Sequence, residues 1–429
     1  MSKNKAISSI ILWSVISAAF IGPGSVTTAA RAGSLFQLNL LWAVTFATLG
    51  CIFIQEISAR LTIVSGITMG QALARKYGNQ KSAWLKYVLG IPVIIGCAAY
   101  EAGNILGAVS GLNLMSGANI KVLTVIVTLL VGVILWTDKR EIIFWLMASL
   151  VGLMGVAFLV LAADTHFTFK EYLDYSLIPR IPVGSELLAL GLVGTTIVPY
   201  NVFLGSGISK GQTVPLMRLG LTISVVIGGL ITATILIAGT TVKSFTNFNE
   251  LADALVRNGG AVSGWILGVG LFAAAFGSAI TSPYAASIIA SSVFDWKTKW
   301  QKLTWIIILM TGFAFGMSGI KPVPLIVAAQ AVNGLILPLI TAYLILLIND
   351  SNIIPSQQQH SLTYNIILLL TFGGVLLMGL TNIDREISTR FNFSSQHFWG
   401  VTITTIVTTC HLAYKVFIET KSRPGSDKN

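Results

Sequence analysis

Two apolar segments of this chain are interrupted in the same way, and the residues in the interruptions are the ones able to do chemistry. The first segment runs from Ile10 to Ile21 and continues Gly22-Pro23-Gly24-Ser25, with Thr27 and Thr28 just beyond. The second runs from Leu187 to Val193 and continues Gly194-Thr195-Thr196-Ile197-Val198-Pro199-Tyr200-Asn201. Proline removes a backbone donor and clashes with the preceding turn, so each segment must unwind near its middle. Unwound backbone at membrane depth survives only where it is buried in protein or lines a cavity. Two such breaks in corresponding halves point to the substrate site of a secondary transporter. Neither break holds a carboxylate. Gly22 and Gly24 allow close backbone approach, and Ser25, Thr28, Thr195, Thr196 and Tyr200 add hydroxyls beside Val198 and Asn201. The second half of each broken helix presents free N–H groups and a positive dipole end. That arrangement suits a small oxyanion, with Arg31 two turns beyond the first break as an attractor. The same small residues would also serve close helix packing.

The elements that must position these breaks follow from composition. The 429 residues are 54% hydrophobic and 10% charged, with a mean hydropathy of +0.80. Soluble domains carry roughly 25% charge, so the chain reads as an all-α polytopic membrane protein. Apolar runs near the roughly 20 residues of a spanning helix recur along the whole length. They predict twelve helices, at about 8–34, 38–63, 84–112, 119–137, 141–162, 185–209, 218–243, 263–293, 303–319, 322–348, 363–382 and 396–418. The first run continues past Gly22 without a clean cleavage site and reads as a span, not a signal peptide. The stretch from Asn247 to Arg257 reads as a short amphipathic outer helix. With the N-terminus in the cytoplasm, about twice as many lysines and arginines fall on cytoplasmic ends as on outer ends, which places both termini inside a cell membrane. That rule, and not nucleic-acid binding, accounts for the net charge of +11.

The broken spans are first and sixth in this order. An odd offset inverts the second copy, so the plan is 5+5 inverted repeats within one transmembrane domain, 1–429. The first repeat covers 8–162, the second 185–348, and two extra spans cover 363–418. Cys51, Cys97 and Cys410 stand singly in apolar runs, as small buried hydrophobes. His166, His360, His397 and His411 form no cluster. No nucleotide loop, metalloprotease helix or nucleophile motif is present, so the chain is not read as an enzyme.

Several motifs resemble the NRAMP divalent-metal transporters. They are Ala32-Gly33 with Leu40-Leu41-Trp42, Ile54-Gln55 with Ala59-Arg60-Leu61 and Val64-Ser65-Gly66, Leu112-Asn113-Leu114, Pro199 with Asn201, Ala279-Ile280-Thr281 with Tyr284-Ala285, and Gln330 with Leu337-Pro338. The resemblance covers roughly spans 1 to 10 and implies a leucine-transporter-type fold with ion-coupled alternating access. It also implies that spans 1, 2, 6 and 7 rock against spans 3, 4, 8 and 9. Gln330 and Asn333 of span 10 would face the site. The family's metal signature does not carry over. Asp-Pro-Gly-Asn is here Gly22-Pro23-Gly24-Ser25, and Met-Pro-His is here Val198-Pro199-Tyr200. Where the family places Asp and Glu three apart in span 3, this chain has Glu101 and Asn104. Glu56, Glu101 and Asn104 remain as candidates for a coupling path, Glu56 with Arg60 one turn on as its local partner.

Ser278-Ala279-Ile280-Thr281-Ser282 is similar to the sodium site of leucine-transporter-type symporters. There a carbonyl three positions before a Thr-Ser pair joins two hydroxyls, and unwound carbonyls near Phe20 complete the shell. The sequence therefore favours a sodium- or proton-coupled importer of a small inorganic anion, with bicarbonate as the guess and sodium as the coupling ion. No other cofactor is implied, the partners are the bilayer and the ion, and a monomer suffices. The alternative is a divalent-cation transporter, for manganese or magnesium, with a relaxed or hydrated-ion site. A non-transporting sensor is a third reading.

Overall fold

The computed structural model describes residues 3–77, 84–137, 139–163, 165, 167–243, 245, 247–320, 322–391 and 398–421, and among them every regular element is helical. The first segment is two helices, α1 (Lys3–Phe20) and α2 (Pro23–Phe36), separated by Ile21 and Gly22. A short 3₁₀ turn (Gln37–Leu40) leads into α3 (Leu41–Ser65), followed by α4 (Met69–Tyr77), α5 (Trp84–Ser116), α6 (Ile120–Trp136) and α7 (Arg140–Ala162). The middle of the chain forms α8 (Phe169–Leu177), α9 (Glu186–Thr196), α10 (Pro199–Ile208), α11 (Val214–Gly239) and α12 (Phe248–Gly259). The rest forms α13 (Ala261–Phe294), α14 (Thr298–Met317), α15 (Pro322–Ile348), α16 (Leu362–Phe391) and α17 (Phe398–Lys421).

Both breaks use the same local chemistry. Gly22 is extended (φ −116°, ψ −173°) and Pro23 opens α2. Val198 is extended (φ −94°, ψ 130°) and Pro199 opens α10. Proline at the first helical position loses a donor that had no partner in any case. Among the described residues, eight helical stretches are long and apolar enough to cross a membrane, counting Pro23–Ser65 as one. Shorter apolar helices are Asn4–Phe20, Ile120–Trp136 and Ile336–Ile348.

Two helices lie outside the expected set. α4 and α8 are nine residues each, too short and too polar to register in a search for spanning runs. α8 nevertheless has a local start signal: Thr168 accepts from the Glu171 backbone N–H while Glu171 reaches back, a capping box. The helix expected near Asn247 is α12, capped by the Asn247 side chain. α16 runs on to Phe391, beyond the expected end at 382.

Packing divides the helices into two sets. α5 and α13 share the most extensive contact, with α14 added to it. A Cβ on Gly111 would sit 2.7 Å from the Gly268 carbonyl, so those two backbones approach closely. α1, α2 and α3 all pack on α11. There a Cβ on Gly33 would run into the Leu236 carbonyl and one on Gly239 into the Ala30 carbonyl, so α2 and α11 touch backbone to backbone. This is the small-residue contact that membrane helices favour.

Candidate functional site

The two breaks meet. Between them lies a cavity of about 10 Å³, room for roughly one water molecule. Its wall is Ala19, Phe20, Gly22, Gly24 and Ser25 from the first break, Thr195 and Val198 from the second, Tyr100 and Asn104 from α5, and Ser278 from α13. Five of these (Gly22, Gly24, Ser25, Thr195 and Val198) are substrate candidates from the sequence, Phe20 and Ser278 are sodium candidates, and Asn104 is a coupling-path candidate; Ala19 and Tyr100 are new. Tyr100 reads as one aromatic in an apolar run, yet it lies one turn before Asn104 and meets Tyr200 edge to face at 5.8 Å.

The hydroxyls around the cavity give their protons to backbone. Ser25 Oγ donates to the Phe20 carbonyl at 2.5 Å, and Tyr200 Oη donates to the Ala19 carbonyl at 2.9 Å. Thr195 and Thr196 both donate to the Leu192 carbonyl, at 3.1 and 2.9 Å. Ser278 Oγ donates to the Ala18 carbonyl at 3.0 Å, with the Ala19 and Ile21 carbonyls at 3.5 and 3.4 Å. A hydroxyl has one proton and two lone pairs. The protons of Ser25 and Ser278 are spent on carbonyls at the end of α1, and that of Thr195 on a carbonyl within α9, which leaves the lone pairs of these three oxygens for other partners.

Gly22 is required by space. A Cβ there would lie 2.8 Å from Ser278 Oγ and 3.5 Å from Asn104 Oδ1. Asn104 Nδ2 donates to Glu101 Oε2 at 3.4 Å, leaving the amide oxygen on the Gly22 side. Glu101 is fully buried, and its Oε1 has no hydrogen-bond partner among the described residues. The single carboxylate of this region therefore stands behind Asn104 and off the cavity wall.

The remaining candidates separate from the cavity. Thr28 turns its methyl toward α9, where a Cβ on Gly191 would meet it at 2.9 Å. Asn201 is fully buried, with neither amide atom hydrogen-bonded among the described residues, and it does not line the cavity. The residues expected to hold sodium each have a partner of their own. Thr281 donates to the Ser278 carbonyl at 3.3 Å, but Ser282 turns to the Cys97 carbonyl at 2.8 Å, and the Phe20 carbonyl is taken by Ser25. Adjacent positions on a helix point about 100° apart, which separates the two hydroxyls. The side chains of Gln330 and Asn333, and residues His166 and His397, lie outside the described residues. Among the described residues no three His, Cys, Asp or Glu side chains group to hold a metal.

Glu56 belongs to a different cluster, at the far end of α3. Its principal partner is not Arg60, which stands 3.8 Å away, but Arg218 of α11, with Nη2 at 2.8 Å and Nε at 2.9 Å. Tyr364 of α16 donates to its other oxygen at 2.8 Å. Arg60 donates to His360 Nδ1 at 3.2 Å and to the Gln358 carbonyl at 2.6 Å. His360 stacks on Tyr364 at 4.2 Å. Burial, together with the guanidiniums of Arg60 and Arg218, holds the His360 imidazole down at about 3.

A model of the natural resistance-associated macrophage protein-like family matches residues 14–383. The chain belongs to the NRAMP family. It is 25% identical to the divalent metal cation transporter MntH of Verminephrobacter eiseniae over 401 residues, covering 86% of this chain and 89% of that one. It is 27% identical to the metal transporter Nramp3 of Arabidopsis thaliana over 314 residues, 66% of this chain and 60% of that one. Its fold matches the Eremococcus coleocola manganese transporter with a TM-score of 0.75 at 20% identity, over 97% of this chain and 95% of that one. It also matches MHP1, a nucleobase-cation-symport-1 transporter, with a TM-score of 0.57 at 14% identity, over 95% and 92%. NRAMP members are integral membrane transporters, not enzymes, and this chain has the leucine-transporter-type fold of that group.

Proposed function

We propose that this NRAMP transporter carries a divalent metal cation, manganese or magnesium, at a site of neutral oxygens where the ion keeps part of its water. The observation that carries this is the direction of the hydroxyls. Ser25, Thr195 and Ser278 offer lone pairs because their protons are on the carbonyls of Phe20, Leu192 and Ala18. Asn104 adds an amide oxygen, with the buried Glu101 carboxyl behind it. Hard cations take oxygen ligands, and magnesium in particular gives up its water reluctantly. Without a thioether in either break, the site has no soft ligand to select transition metals over magnesium. The metal relatives support this reading over the bicarbonate and sodium expectation. The cavity admits about one water, so loading requires the junction to widen. Rocking of spans 1, 2, 6 and 7 against spans 3, 4, 8 and 9, each set drawn from both inverted repeats (8–162 and 185–348), with both termini cytoplasmic, would supply that.

A second reading, sodium-driven bicarbonate uptake, is favoured by one observation: the cavity wall holds no carboxylate, imidazole or thioether. A bare dication in a low-dielectric site needs compensating charge. Uptake of manganese, magnesium and bicarbonate into proteoliposomes, with and without a sodium gradient, separates the two. Cation uptake independent of sodium is expected. Sodium-driven bicarbonate uptake without cation flux would overturn the cation reading. Ser25→Asp sharpens the choice, since a carboxylate on the cavity wall should lower the manganese KM by about tenfold or more. The bicarbonate reading requires the same variant to lose transport.

A further inference from the structure

A second, larger space lies away from the junction, where the first turns of α1 and α7 diverge. It is a crevice of about 600 Å³, within the range of roughly 300–1,000 Å³ typical of small-molecule sites. Its floor is apolar, built from Ile7, Ile11 and Phe144, with Trp145 at the edge. Its mouth carries Asn4, Ser8 and Glu141. Ile7 is 46% and Trp145 61% exposed, a surface suited to acyl chains and not to water. An exposed tryptophan one turn from a charged helix start is the pattern of the membrane interface.

The charges at the mouth specify the occupant further. Lys5 follows Asn4, and Lys139 and Arg140 immediately precede Glu141; all are exposed. Glu141 forms no ion pair among the described residues despite those neighbours, and no partner is recorded for Asn4 or Ser8 among them. The crevice lining thus combines an apolar trough with one acid and two neutral polar groups, and three exposed cations adjoin Asn4 and Glu141 in the chain as its basic rim. A free metal ion has no use for the trough. A free phosphate has no use for the acid. A quaternary ammonium cannot donate hydrogen bonds to a carboxylate, whereas a primary ammonium can donate three.

We propose that this crevice binds a glycerophospholipid with a primary-amine headgroup, of the phosphatidylethanolamine type. One acyl chain lies along Ile7, Ile11 and Phe144. The phosphate meets the basic rim and the ammonium donates to Glu141, with Ser8 and Asn4 beside it. α1 is the half-helix that ends at the Gly22 break, so the lipid sits between the first broken span and α7.

The test is lipid retention by the full-length protein, purified in detergent, stripped of lipid and offered equal amounts of dioleoyl phosphatidylethanolamine, phosphatidylcholine and phosphatidylglycerol. Native mass spectrometry counts what stays bound. Phosphatidylethanolamine should exceed each of the others by about threefold, the scale of one exposed ion pair. Glu141→Gln should bring it down to the phosphatidylcholine level, and Ile11→Trp, by filling the trough, should lower all three. Glu141 is exposed, so Glu141→Gln keeps the test valid even where Ile11→Trp fails to fold. Equal retention of phosphatidylethanolamine and phosphatidylcholine, a preference for phosphatidylglycerol, or unchanged retention in Glu141→Gln would each overturn the assignment. Retention is read without transport, so the outcome is independent of which ion the junction carries.

Discussion

The junction around Gly22 and the cluster around Glu56 are both polar regions buried in a helical membrane protein, and they meet the cost of burial in opposite ways. At the junction Ser25, Tyr200 and Ser278 bond to carbonyls at the end of α1, and among the described residues no charged atom lines the cavity. At Glu56 a buried carboxylate is compensated at close range by Arg218 and Tyr364, with Arg60 beyond. Neutral hydrogen bonds contribute about 1 kcal/mol each and exchange readily. A buried ion pair that loses one partner leaves an uncompensated charge, at about 3–5 kcal/mol. The region that must open for an ion is therefore built from weak, replaceable bonds. The region that ties α3 and α11 to α16 is built from bonds that resist rearrangement.

Three variants break or sharpen this contrast. Arg218→Met should have the largest effect, because it leaves the buried Glu56 carboxylate with the Tyr364 hydroxyl at 2.8 Å and only the more distant Arg60, at 3.8 Å, as a cationic neighbour. Arg218 is half exposed, so water offsets part of the loss, and about 2 kcal/mol of stability is expected to go. Chemical or thermal unfolding in detergent reads it; an unchanged midpoint would mean that the cluster contributes nothing to cohesion. Gly22→Ala comes next. Its Cβ would press on Ser278 Oγ, so transport should fall by about tenfold, equivalent to about 1.4 kcal/mol, while the unfolding midpoint moves little. Full activity in this variant would place the transport path away from the junction.

The smallest effect belongs to His360. Its imidazole is held near 3 in the folded protein against an ordinary value of 6.5. Between those two values the unfolded chain binds a proton that the folded chain does not, so stability falls as pH drops below about 6.5. Above that range the group is neutral in both states and contributes no slope. His360→Gln should flatten part of the fall in midpoint between pH 7 and 5. A fall as steep as in the unaltered protein would assign the slope to other groups.

The breaks themselves were legible in the sequence, because proline and glycine act locally and admit few conformations. Ser25, Thr195 and Val198, read as substrate residues, Ser278, read as a sodium ligand, and Asn104, read as part of a coupling path, all line one cavity. What their hydroxyls do was not legible. A hydroxyl rotor follows the nearest strong acceptor, and those acceptors exist only once α1 unwinds beside α13 and α10. Glu56 shows the same limit. The partner visible in sequence is Arg60, four residues on, whereas the one that binds it is Arg218, 162 positions away. Tyr100 was passed over because an aromatic in an apolar run carries no sign of the break it will face. α8 carries a readable capping box at Thr168 and Glu171, but its nine residues are too few and too polar to show as a spanning run.

The contact between α2 and α11 has a mechanical consequence. Where Gly33 abuts Leu236 and Gly239 abuts Ala30, main chain rests on main chain with no side chain between to bend or rotate. Side chains act as springs; two peptide planes in contact do not. α2 and α11 therefore act as one lever, and a displacement of either is passed to the other undiminished. The helical path of the first span is interrupted at Ile21 and Gly22, so the hinge of the lever and the wall of the cavity share Gly22.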